Sequence, residues 1–447
     1  MLEREGASGY VDWIGDPFAR EYGIGKLAAF TLGYDNHVWS AHETVWKTPA
    51  LSDLIVYELM IAEFANDLNG MREHLSYLRD LGVNCIEIMP VSNVAGTLDW
   101  GYAPLGYFGV DERFGKRREI QAVIDAAHQL GIAVILDAVY GHTSELFPYW
   151  QLYGKVDPGR CPVIGNSLPD HYGKRVDFSQ PFIQDFFLTV NHHWLDCYHV
   201  DGFRYDCVPD YWDGANGNGY AKLVYETYQL VKNKKGAGGA WGRFFDGDGA
   251  LRLIQCSENL DDPAGMLRTT YTNCAWHDQT LNAARQTASG DANGVTALGL
   301  SLGLGNFPDT YVNGDDTLPK LAFQYIENHD HKRFVCEFGT TLPCGTRNEL
   351  LRMGDRDRWH KVQPYRIGLF TAKGIPMLWQ GQEFGENYYL PDDGSENSWG
   401  RVLLFRPTHW DYFYDATGTC AVSLVRKLIA LRRRGEQFRT GSHYFHN

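Results

Sequence analysis

Residues 130–142 read LGIAVILDAVYGH. Ile132 to Leu136 are apolar without a break, and polar groups follow at Asp137 and His142. A strand with one face in water would alternate apolar and polar residues. An unbroken run means that both faces are covered, as in a parallel sheet. The segment before it, REIQAVIDAAHQLG at 118–131, places Ile120, Val123, Ile124, Ala127 and Leu130 on one helical face and stops at Gly131. The unit is therefore an amphipathic helix, a glycine stop, a strand buried on both sides and a polar end.

The same unit recurs outward in both directions. Strand-type runs appear at 54–59 (LIVYEL), 83–89 (VNCIEIM), 201–206 (DGFRYD), 251–258 (LRLIQCSE), 322–328 (AFQYIEN) and 375–380 (IPMLWQ). With 132–139 these make seven, and YTNCAWH at 271–277 supplies an eighth. Helical patterns at 69–82, 180–198 and 421–434 lie between or after them. Eight such units predict an α/β chain, a (β/α)8 TIM barrel. Its catalytic barrel is expected to occupy 51–139 and 181–435. Residues 140–180, rich in Gly, Pro, Tyr and His, are too long for a plain loop and read as a small subdomain inserted after the third strand. The Gly-rich 236–250 is a loop: its DGDG lacks a full calcium-ligand series, and it has no phosphate-loop ending.

Composition narrows the function. Among 447 residues, 41 Lys plus Arg stand against 55 Asp plus Glu, a net charge of −14, so no general basic field is available for nucleic acid. No run approaches the ~18 apolar residues of a membrane span. The N-terminal MLEREGASGY has no apolar core of a signal peptide. The nine Cys form no C-x-x-C pair, and several, such as Cys85 and Cys256, lie in apolar runs. Buried free thiols in a reducing, cytoplasmic setting are expected.

Polar residues at the carboxyl ends of barrel strands read as catalytic. Strand three ends with Asp137 and, beyond it, His142. Strand four ends with Arg204 and Asp206, strand five with Glu258. Strand seven runs into Asn328, His329 and Asp330. Each carboxylate alone is a common helix cap. Three on separate strands, with an Arg two residues before one of them, point instead to paired-carboxylate glycoside cleavage. Arg204 is expected to keep Asp206 ionised. Glu258, without a close cation, is expected to retain its proton. The His192–His193 pair lies mid-helix and reads as structural.

The ordered set DAVYGH, DGFRYD, the Glu after strand five and NHD resembles the α-amylase superfamily, glycoside hydrolase family 13, from Leu54 to about Arg434. The resemblance implies Asp206 as nucleophile, Glu258 as general acid/base and Asp330 as the third acidic residue, which grips sugar hydroxyls. It implies that Tyr102, in WGYAPLGYFGV, is the platform under the sugar. It also implies substrate contacts from Asp137, His142, Arg204, Asn328 and His329. The partner is an α-glucan polysaccharide or oligosaccharide. Residues 1–50 resemble the tail of a preceding β-sandwich module, and 436–447 form a C-terminal tail, with a C-terminal β-sandwich absent or truncated.

One departure bears on cofactors. Family members tend to carry, before the first motif's His, an Asn that binds calcium. Gly141 stands there with only a carbonyl to offer, so a structural calcium is doubtful and no cofactor is expected to be required. The segments WGYAPLGYFGV and GIPMLWQGQEFGE resemble the branch of branching enzymes, isoamylase-type debranchers and trehalose-releasing hydrolases. His331 follows Asp330, where branching enzymes typically have Glu. That favours a retaining hydrolase over the alternative, a glucan transferase, and the intact set of Asp206, Glu258 and Asp330 argues against a silent carbohydrate-binding homologue. Trp100, Tyr149, Trp150 and Trp212 are candidate stacking surfaces for sugars.

Overall fold

The computed structural model describes residues 2–6, 9–23, 26–33, 37–96, 99–154, 157–163, 169–247, 249–338, 355–388 and 405–445. Cys344 and Asp248 of the DGDG turn lie outside them. Eight strands close a parallel barrel: β1 Val56–Leu59, β2 Cys85–Ile88, β3 Ala133–Ala138, β4 Gly202–Tyr205, β5 Ile254–Ser257, β6 Cys274–His277, β7 Leu321–Gln324 and β8 Ile375–Trp379. Each pairs with its neighbours in chain order, and β8 returns to β1 through Met377↔Val56 and Trp379↔Glu58. Every barrel-strand residue is buried, as the unbroken apolar runs require.

The predicted runs are trimmed at their ends. Leu251 bridges back to Phe245 instead of entering β5, and the chain leaves β7 at Tyr325. A hairpin of Thr310–Asn313 with Asp316–Pro319, absent from the sequence reading, precedes β7. Helices among the described residues surround the barrel, including α1 Leu68–Leu81, α2 Arg117–Gln129, α3 Pro181–Cys197, α4 Tyr220–Lys232, α5 Pro263–Thr269, α6 Asp278–Ala288, α7 Gln363–Thr371 and α8 Ala416–Arg434.

α1 shows the local logic. Asp67 caps it by accepting from Gly70 N–H at 2.8 Å. Met71, Leu75, Leu78 and Leu81 form its buried face. It ends at Gly82, whose φ is +105°. A Cβ there would meet Ile429 Cγ2 of α8 at 2.6 Å, so both conformation and packing demand glycine.

The strand faces divide the core. Tyr57, Leu59, Ile86, Ile88, Val134, Leu136, Phe203 and Tyr205 face the helices. Val56, Cys85, Ala133, Ile135, Cys256, Cys274, Trp276, Phe323 and Met377 form a second cluster inside the barrel. Because strand residues two apart share a face, Glu58, Glu87, Asp137 and Arg204 also point inward, one layer nearer the carboxyl-terminal mouth.

Beyond β3 the chain leaves the barrel. His142–Thr143 pairs antiparallel with Lys174–Arg175, and short helical turns lie at 150–154 and 158–160. Before β1, the chain forms two small hairpins and then packs under the barrel. Glu43 Oε1 lies 2.5 Å from His128 Nδ1, and His128 Nε2 lies 3.0 Å from Asp201 Oδ2. No helix among the described residues is long and apolar enough to cross a membrane.

Candidate active site

Arg204 organises the barrel mouth. It is fully buried, and its face lies on Trp276 with the guanidinium carbon 4.0 Å from the ring centre. Its Nη1 donates to Asp137 Oδ1 at 2.7 Å, Asp137 Oδ2 at 2.8 Å and Asp206 Oδ1 at 2.9 Å. Its Nη2 lies 3.1 Å from Glu258 Oε2. Three carboxylates from β3, β4 and β5 thus share one cation. The register explains this: Arg204 lies level with Asp137 on one side and Cys256 on the other, so the loop after β5 returns Glu258 to it.

Glu258 does not lie apart from cations, contrary to the sequence reading. The same oxygen that meets Arg204 also accepts Cys207 N–H at 2.7 Å. Cys207 makes that donation possible by turning left-handed, with φ of +41°. Nor does Arg204 hold Asp206 at an ordinary acidity. Burial, and next the Glu258 charge, push the Asp206 carboxyl well above the usual carboxylate range against the pull of Arg204. Burial opposes the charge on Arg204, but Asp137 and then Glu258 hold the guanidinium charged.

Tyr102 lies beside this cluster. Its hydroxyl donates to Asp137 Oδ2 at 2.6 Å, and its ring stacks on His329 with centroids 5.1 Å apart and 19° between planes. Asn328 is buried, and its side-chain oxygen accepts Asp330 N–H at 3.1 Å and lies 2.7 Å from His331 Nδ1. It shapes the turn that presents its neighbours. His329 Nε2 lies 3.3 Å from Asp330 Oδ2, and the Asp330 side chain is 28% exposed against 11% for Asp206 and 13% for Glu258. The barrel mouth brings together Asp137, Arg204, Asp206 and Glu258, with Tyr102, His329 and Asp330 beside them.

His142 lies at the rim. Its Nε2 is 2.7 Å from the Tyr102 carbonyl and its Nδ1 is 3.6 Å from Asp210 Oδ2. The sequence reading overlooked Asp210, which also lies 2.7 Å from His171 Nδ1. A Cβ on Gly141 would meet Asp210 Cβ at 2.7 Å, so Asp210 occupies the space a side chain at 141 would need. The Gly141 carbonyl is engaged by Val176 N–H at 2.9 Å. These residues do not fit a calcium ion. His171, Cys207 and Asp210 bring ligand-type atoms within 4.8 Å of one another. Burial, and next the Asp206 and Glu258 charges, push the Cys207 thiol far up. The group is a polar clasp between the inserted segment and the turn after β4.

The proposed aromatic platforms divide. Trp100 is buried, donates to Glu63 Oε1 at 3.3 Å and carries Arg406 on its face at 4.2 Å, so it is structural. Lys174 covers Trp150 at 4.7 Å, and Tyr149 packs on Phe182. Trp212 is half-buried against the core. His193 donates to or accepts from nothing in the cleft: its Nε2 meets the Phe108 carbonyl at 2.9 Å. Glu58, Glu87 and Trp276 were missed as neighbours of the site. Their only sequence signal is a polar or bulky residue inside a strand run.

Residues 40–159 match the family model described as the alpha amylase catalytic domain. The chain is 33% identical over 396 residues to the malto-oligosyltrehalose trehalohydrolase of Brevibacterium helvolum, covering 82% of this chain and 63% of that one. It is 30% identical over 410 residues to the 1,4-alpha-glucan branching enzyme of Nitrosospira multiformis, covering 83% of this chain and 50% of that one. The chain therefore spans between half and two thirds of the length of these curated relatives. Among solved structures, a putative alpha amylase from Salmonella typhimurium superposes with a TM-score of 0.69 at 19% identity, covering 96% of this chain and 76% of that one.

Proposed function

The chain belongs to the α-amylase superfamily, and from that premise we propose that it cleaves α-glucosidic bonds of starch- or glycogen-type glucans or maltooligosaccharides by double displacement. The observation that carries this reading is the grip of one buried arginine on Asp137, Asp206 and Glu258 at a single barrel mouth. In it, Asp206 attacks the anomeric carbon while Glu258 protonates the departing glycosidic oxygen. The step needs Asp206 as the carboxylate and the proton on Glu258. Water, deprotonated by Glu258, then releases the sugar with its configuration retained. Asp330 and His329 hold sugar hydroxyls, and Tyr102 supplies the stacking face. No cofactor takes part.

Transfer to a sugar hydroxyl is the second reading, favoured by the 30% identity to a branching enzyme. The hydrolase is preferred because His331 follows Asp330. A cytoplasmic setting is supported by the eight cysteines among the described residues, all free thiols. Incubation with soluble starch, read by reducing-end and chain-length assays, tests the proposal. Growth of reducing ends supports hydrolysis. New 1,6-branch points by methylation analysis without net reducing ends would establish transfer. Neither outcome, with a folded protein, would leave a binding protein.

A further inference from the structure

Glu58 lies inside the barrel on β1, fully buried, one layer below the mouth. Its Oε1 is 2.5 Å from His329 Nδ1. The other ring nitrogen, Nε2, faces Asp330 Oδ2 at 3.3 Å. The imidazole is thus held between two carboxylates, one sealed in the barrel and one at the cleft. Both nitrogens meet an acceptor, which only the doubly protonated ring satisfies with both carboxylates ionised. Aromatic rings complete the enclosure. Tyr102 stacks on His329, Trp100 meets it edge-on at 5.7 Å, and Trp276 and Trp379 lie at 5.6 and 6.3 Å. Of these, Tyr102 presents its ring face in parallel to the imidazole, the arrangement that favours a cation.

We propose that His329 works as an imidazolium and that Glu58 is the positioning residue that keeps the proton on it. Its Nε2–H then donates to Asp330 and offers a positive edge to a bound sugar hydroxyl. The charges around the ring favour this state. Burial opposes it, but Asp330 and then Glu58 outweigh burial and the repulsion from Arg204 on β4, and His329 titrates above the ordinary imidazole range. Burial raises Glu58 itself, opposed first by His329 and then by Arg204, with Asp137 on β3 working the other way. Glu87 on β2, level with Glu58, is pushed well up by burial and then by the Glu58 charge. The isosteric neutral Glu87→Gln makes a control for a change at the neighbouring carboxyl. The protonation state follows from the carboxylates on either side of the ring whatever the function; its consequence for sugar binding rests on the glucan-cleaving function proposed above.

Ring-carbon and ring-nitrogen NMR of the full chain, with His329 assigned by the signal lost in His329→Asn, tests the protonation directly. The wild type is expected to show imidazolium at pH 7. Glu58→Gln should lower the His329 midpoint by about one pH unit or more, Glu58→Asp by less, and Glu87→Gln should leave it in place. A neutral wild-type His329 at pH 7, or an unchanged midpoint in Glu58→Gln, overturns the proposal. The wild-type reading suffices if Glu58→Gln does not fold. Calorimetry of maltohexaose binding to Glu258→Gln removes the general acid from the pH dependence. Affinity should fall about tenfold as His329 loses its proton, and at lower pH in Glu58→Gln/Glu258→Gln. A pH-independent affinity overturns the binding role. Absence of any maltohexaose binding counts against the glucan-cleaving function, while the NMR result still decides whether Glu58 holds the proton.

Discussion

Replacing Arg204 by Lys keeps one positive charge but removes the fork. The guanidinium, itself fully buried, reaches Asp137 twice, Asp206 once and Glu258 once from two nitrogens. A single ammonium on a flexible stem cannot span three carboxylates on three strands. At least one of them loses its cation. Breaking a buried pair costs about 3–5 kcal/mol, and the retained charge argues for about 3. With about 2.1 cal/mol/K of unfolding entropy per residue over 447 residues, about 3 kcal/mol lowers the melting temperature by roughly 3 °C.

The pH dependence carries more information. Asp206 is already raised by burial and by Glu258, with Arg204 opposing. Weakening Arg204 raises it further, by about one to three pH units for loss of a close opposite charge. A carboxyl whose folded pKa is raised favours folding at low pH, and that contribution is lost as pH climbs from its unfolded towards its folded value. The melting deficit of Arg204→Lys should therefore widen from about pH 4 towards neutrality. The acid limb of kcat/KM on maltohexaose should move up by about one unit or more, so activity on that limb falls about tenfold and partly recovers at higher pH. Differential scanning fluorimetry and a pH–rate profile measure both. An Arg204→Lys enzyme within threefold of wild type with an unmoved acid limb would refute the idea that Arg204 sets the ionisation of this site.

Asp206→Asn and Glu258→Gln should each abolish turnover of soluble starch while preserving the melting transition and maltohexaose binding; activity within about tenfold of wild type would remove that residue from the mechanism. Proton NMR of the first turnovers should show the α-anomer, and a β-anomer would rule out double displacement. A chelator should leave the melting temperature unchanged, and Gly141→Asn should lower it through the clash with Asp210 without creating calcium dependence; a chelator-induced fall reversed by calcium and not magnesium would contradict the fit argument. Asp201→Asn should loosen the segment before β1, because Asp201 accepts Trp46 Nε1–H at 3.1 Å and Val134 N–H at 2.8 Å beside His128. Asp201 is held below the usual carboxylate range, although burial alone would raise it, and His128 above the imidazole range despite its burial. The first contribution is lost as pH falls below about 4 and the second as pH rises past His128's folded value, so the melting difference from wild type should peak between about pH 5 and 7; a pH-flat difference would exclude the ion pair as its source.

The barrel and its reactive ends were legible in the sequence because both are local properties of the chain. An unbroken run such as 132–136 reports burial on two faces wherever the strand sits, and Asp137, Asp206 and Glu258 are polar groups just where such runs stop. Alternation within a strand tells which residues share a face. It does not tell which residues of different strands share a layer, because that depends on how the barrel closes. Closure decided that one arginine serves Glu258 as well as Asp206, which overturned the reading of Glu258 as a carboxyl without a cation. It decided that Asp210 fills the space beside Gly141, and that Trp100 is enclosed by Glu63 and Arg406 rather than left to stack on sugar. Glu58 shows the division most clearly. In LIVYEL it is a polar residue inside a strand, and nothing nearby names a partner. His329 lies 271 residues further along the chain, and only the closing of β8 onto β1 brings the two within hydrogen-bonding distance.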